Sequence, residues 1–183
     1  MDGYNMTGDE ITFSIMPQAL ELEDAYFTDM TLADFPEVMD ALDERGESWL
    51  SPCVEKVRFY ELKESADGTT GAYDPKSKAI GVLDGMDVTT LMHEMIHMYE
   101  HQIDELNPSI RQYLAVKIWE KICPQVTDLE ARILGHLEPV GLRELENWGG
   151  QHDVLFLLKS YDIDLQLGLK LGTTMGYGCD SSE

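Results

Sequence analysis

The stretch "HDVLFLLKSYDIDLQLGL", His152 to Leu169, constrains the fold more than any other part of the chain. At 100° per residue, Val154, Leu157, Leu158, Tyr161 and Leu165 share one face of a helix, and His152, Phe156, Ile163 and Leu167 share another. A helix apolar on two faces has to be wrapped by other elements, which predicts a central place in a core. The 183 residues suffice for that wrapping within one domain. Three Trp, eight Tyr and five Phe argue against disorder.

Ahead of that helix the pattern is strands first, then helices. "ITFSIM" reads as a short strand. Thr31 or Asp34 caps a helix through "FPEVMDALDERG", with Phe35, Val38, Met39 and Leu42 along one face and Gly46 at its end. "VEKVRFYEL" is rich in β-favouring types and reads as a strand. A turn follows at Ala66, Asp67 and Gly68, and "TTGAYD" with "KAIGVLD" predicts a hairpin around Pro75, Lys76 and Ser77. Asp87 or Thr89 caps the next helix, which Asn107 and Pro108 stop. Pro108 starts another, with Ile110, Tyr113, Leu114, Lys117 and Ile118 at helical spacing, and Pro124 ends it. Thr127 with Glu130 is a capping-box pattern, Leu142 to Trp148 a short helical turn, and Gly149 with Gly150 a break. The tail "TTMGYGCDSSE" reads as irregular. This order predicts an α+β fold, with residues 1–30 as an N-terminal annex to a domain spanning 31–183.

Charge narrows the partners. Thirteen Lys and Arg against 35 Asp and Glu give a formal charge of −22, which repels nucleic-acid backbones and anionic membranes, so neither is an expected partner. Cys53, Cys123 and Cys179 form no C-x-x-C pair, which excludes a zinc ribbon and a redox dithiol and fits reduced thiols. "MDGYNMTGDE" lacks the basic and apolar regions of a secretory signal, and no apolar run approaches the roughly 20 residues of a membrane span. A cytoplasmic location is the expectation.

"TTLMHEMIHMYEH", Thr89 to His101, carries the chemistry. His97 lies about 40° from His93 and one turn along, so both imidazoles can share one tetrahedral Zn²⁺. Met92, Met95, Ile96 and Tyr99 cluster on the opposite side and seat the helix in the core. Glu94 projects near 100°, beside the metal face and outside the ligand set. There it can take a proton from metal-bound water and hand one to the leaving amine. Histidines four apart also occur on ordinary charged faces. The position of this pair, on an amphipathic helix after a hairpin, favours the metal reading, and H-E-x-x-H is the short signature of metalloprotease chemistry.

A catalytic zinc takes three protein ligands and one open position. His101 lies roughly 12 Å along the axis from His93, too far to share the ion. Glu100 is placed to support a ligand. His136 reads as a surface or loop histidine. His152, after the diglycine break and at the start of an apolar helix, is the favoured third ligand; Glu130, Glu138, Glu144 and Glu146 are carboxylate alternatives.

"GAYDPKSKAIGVLDG", "TTLMHEMIHMYEH" and "GGQHDVLFLLKSYDIDL" together resemble the SprT-like family of zinc metallopeptidases, within the HExxH zincins. The resemblance runs from about Val54 to Leu169. It implies a minimal zincin-like domain with His93, His97 and His152 as zinc ligands, Glu94 as the catalytic glutamate and Phe156 as the packing aromatic. The chain lacks the cysteine zinc module of some members and is acidic where DNA-associated members need basic surface. The resulting expectation is a zinc-dependent metallopeptidase acting on a peptide or protein substrate. The strand before the HEMIH helix would line the cleft and offer its edge to an extended substrate, and Tyr73, Lys159 and Tyr161 are candidates for stabilising the oxyanion. The alternatives are a regulatory metallopeptidase that cuts one partner protein, and a non-catalytic acidic interaction module.

Overall fold

Asp74 organises the hairpin that the sequence predicts. In the computed structural model, which describes residues 8–30, 54–62, 70–85, 87–104, 108–126 and 152–176, its carboxylate accepts the N–H groups of Lys76 and Ser77 and the Ser77 hydroxyl, the last at 2.5 Å. The hydroxyl bond holds the Asp74 carboxyl below its usual range. Lys78, with φ at 49°, turns the chain into the return strand. Strands β1 (Arg58–Leu62), β2 (Gly71–Asp74) and β3 (Ala79–Leu83) form one sheet in the order β1-β3-β2. β2 runs antiparallel to β3, with Tyr73 opposite Ile80. β1 runs parallel to β3, with Phe59 opposite Ile80.

The chain forms two compact units, Met1–Tyr99 and Glu100–Glu183, and the boundary falls inside helix α2 (Val88–Asp104). In the first unit "ITFSIM" is not a strand, because helix α1 (Thr12–Tyr26) begins there. Extended pairing occurs just before it: Glu61 N–H donates to the Asp9 carbonyl and Ile11 N–H to the Phe59 carbonyl, which covers the outer edge of β1. The helix-forming run "QALELEDAY" carries α1 back over Pro17 and overrides the local β preference of Ile11 to Ile15. Its buried positions, Ala19 and Glu23, are four apart and continue to Phe27. "VEKVRFYEL" divides into a 3-10 turn at Val54–Lys56 and β1.

Phe27 stacks on Tyr99 with ring centroids 5.3 Å apart and planes within 8°. The Tyr99 hydroxyl donates to Glu23 Oε1 at 2.6 Å, and that oxygen also accepts the Val54 N–H at 2.9 Å. One buried carboxylate therefore ties α1 and the 3-10 turn to the helix that carries HEMIH.

In the second unit α3 (Pro108–Ile122) packs on α4 (Val154–Leu167). Every residue from Val154 to Asp164 is buried, as the two-faced apolar pattern predicts. Leu165 and Leu167, placed on inner faces by that pattern, are only partly buried. Asp153 is the α4 N-cap and accepts the N–H groups of Leu155 and Phe156, while Gly168, at φ 67°, closes the other end. Asp162 of α4 receives Lys159 and Lys121, the latter from α3. On α3 the inner stripe is Ile110, Arg111, Leu114, Ala115, Ile118 and Ile122. Tyr113 and Lys117 face outward instead, with the ammonium 5.4 Å from the ring centre. The segment after Leu171 forms successive turns to Gly176, held by Asp164, which accepts the N–H groups of Gly172 and Thr174 and the Thr174 hydroxyl.

A small mixed sheet with these helices is an α+β fold. Among the described residues no helix is long and apolar enough to cross a membrane. The helix expected over 34–46, the turn at 66–68, the elements expected between Thr127 and Trp148 and the diglycine break lie outside the described residues.

Candidate metal centre

Asp87 starts α2: its carboxylate accepts the Thr89 N–H and its carbonyl the Thr90 N–H, so of the two expected caps it is Asp87 that acts. Leu91, Met92, Met95, Ile96, Met98 and Tyr99 are buried and fix the rotation of the helix. His93 and His97 are half-buried on the remaining side. Their rings meet edge to face with centroids 4.9 Å apart, the adjacency that a spacing of four dictates.

Glu94 is only 5% exposed and lies against β2. The Tyr73 backbone N–H donates to its carboxylate, and burial, the larger effect, pushes its pKa up to about 8. A Cβ at Gly71 would fall 2.9 Å from Glu94 Oε1 and 2.9 Å from the Thr90 methyl, so a glycine here lets the strand approach the carboxylate. This corrects the expected cleft strand. The strand preceding α2, β3, is central and paired on both sides; it is β2 that touches Glu94.

His152 stands one residue before the α4 cap rather than inside the helix, with φ at 60°. Its ring lies on Phe156 at a centroid distance of 4.5 Å. Burial of part of the ring lowers its pKa, which favours the neutral, metal-binding imidazole. One ring nitrogen of each of His93, His97 and His152 lies within 4.8 Å of those of the other two. His101 is not in this group. The carboxylate alternatives Glu130, Glu138, Glu144 and Glu146, and His136, lie outside the described residues.

Glu100, expected to support a ligand, binds Arg111: its Oε1 lies 2.7 Å from Nη2, and Arg111 Nε lies 2.6 Å from Asp153 Oδ2. Lys159 is fully buried with its ammonium on Asp162, which removes it as an oxyanion donor, and Tyr161 is buried in the unit core. Tyr73 contributes to Glu94 through its backbone. The sequence reading passed over Arg111 and Gly71. The signal for the first is a cation on the apolar stripe of α3; for the second, a glycine at the start of a strand, where it has no turn to make. Comparison with protein-family models, curated proteins and solved structures finds no match to this chain.

Proposed function

We propose that the chain is a zinc-dependent metallopeptidase of minimal zincin type, with His93, His97 and His152 as metal ligands and Glu94 as the general base. The convergence of the three imidazoles carries this reading. The donor set fits: three histidine nitrogens within 4.8 Å of one another match the protein ligands that a catalytic zinc takes beside its open position. Bound zinc supplies a Lewis acid for the scissile carbonyl and lowers the pKa of water toward ~7.

The remaining chemistry belongs to the chain. Glu94 accepts the proton of the attacking water on a carboxylate oxygen and passes it to the leaving amine. The Tyr73 N–H and the close approach of Gly71 hold that carboxylate still. Its burial raises its basicity, and a dication at the neighbouring histidines acts in the opposite direction, which keeps the base ionised at its working pH. An extended peptide or protein segment is the substrate class, with β2 as the strand nearest the base.

The test is metal content together with a single substitution. The purified protein is expected to carry about one Zn²⁺ per chain by elemental analysis. Glu94→Gln is expected to keep that metal and lower peptide hydrolysis at least about a hundredfold. If Glu94→Gln cleaves as fast as wild type, the mechanism is wrong. A protein without bound metal, indifferent to chelators, would instead favour the acidic interaction module.

A further inference from the structure

His152 holds a left-handed backbone conformation that side-chain-bearing residues rarely adopt. Such conformations persist only where the surroundings impose them. The next residue shows what does so. Asp153 Oδ1 accepts the N–H groups of Leu155 at 2.8 Å and Phe156 at 3.2 Å, and Oδ2 lies 2.6 Å from Arg111 Nε. The other side of the guanidinium reaches Glu100, whose Oε1 lies 2.7 Å from Nη2. All three side chains are buried. Arg111 is thus a planar fork between two carboxylates, one of which fixes the chain direction one bond after His152. The Phe156 ring lies against the His152 ring, centroids 4.5 Å apart.

Well-packed apolar residues would stabilise this unit as much as three buried charges do, because desolvation offsets most of the attraction between them. What charges with fixed hydrogen bonds add is direction. We infer that the Glu100–Arg111–Asp153 triad is a positioning device that holds the His152 imidazole in its orientation. Resting on the metal reading above, the triad thereby sets the affinity of the centre. Arg111 and Asp153 are positioning residues; neither is a ligand.

The experiment uses the full chain with Asp153→Asn, which keeps a cap acceptor but drops the charge facing Arg111, and separately Arg111→Lys, which keeps the charge but loses the fork. Either variant alone decides the question should the other not fold. Two measurements are made. The first is Zn²⁺ affinity by competition with a chromogenic chelator, in wild-type and His152→Ala backgrounds. The second is the side-chain NMR signal of the His152 ring in chelator-treated protein, identified by its loss in His152→Ala and displaced by the Phe156 ring.

Each variant is expected to weaken Zn²⁺ binding by about tenfold or more in the wild-type background, yet by less than about twofold once His152 is gone. The His152 ring signals are expected to move toward those of an unstructured histidine. A variant that melts earlier but leaves affinity and ring signals unchanged, or weakens Zn²⁺ equally in both backgrounds, overturns the proposal. If wild type binds no zinc, the metal reading falls by itself. The ring signals then decide the triad: movement supports it, and constancy sinks it.

Discussion

Glu94 is where burial and chemistry meet most directly. A carboxyl with an ordinary pKa of 4.5 sits at about 8 in the folded chain, because its surroundings disfavour the charge more than the Tyr73 N–H favours it. The folded state therefore binds the Glu94 proton more tightly than the unfolded state does. The resulting stability is fully present below pH 4.5 and is lost as pH rises through about 8. Glu94→Gln, a neutral copy of the protonated form, should abolish this dependence. In chelator-treated protein we expect wild type and variant to melt together near pH 4.5, and the variant to lead increasingly up to pH 8 or 9. The gap should be on the order of 5 kcal/mol at most. Parallel melting curves across that range would show that the carboxyl titrates normally.

At the scale of elements, the buried Glu23 carboxylate joins α1, the 3-10 turn before β1 and the HEMIH helix. Tyr99→Phe removes the hydroxyl donor while keeping the ring on Phe27. It should destabilise the protein by about 1–3 kcal/mol without lowering zinc content. An unchanged melting temperature would mean that the stack alone holds the helix. Legibility in the sequence divides along similar lines. The hairpin at Pro75 and the helix starts at Asp87, at Pro108 and just after His152 were readable because turn and cap chemistry is local. The HEMIH spacing gave the adjacency of His93 and His97 for the same reason. "ITFSIM" was misread because the helix there is decided by residues after Pro17 and by burial against other elements. The middle position of β3 was not legible either, since strand order depends on pairings distant in sequence. Arg111 was not legible because its partners at 100 and 153 are distant in sequence.

For the molecule as a whole, a formal charge of −22 works against compactness, because like charges repel more strongly when folded together. The melting temperature should rise by several degrees between roughly 10 mM and 300 mM sodium chloride as screening shortens the range of that repulsion. A salt-independent melting curve would show that the acidic groups are already compensated locally. The enclosed helix α4 carries a different consequence, for synthesis. A ribosome delivers Glu100 and Arg111 long before Asp153, and both precede the eleven-residue buried run from Val154 to Asp164. Of the two described helices that pack together in the second unit, the enclosed one is therefore translated second. A nascent chain halted short of α4 carries an arginine destined for an enclosed ion pair with one of its two carboxylates not yet made, a segment exposed to quality-control proteases until α4 emerges.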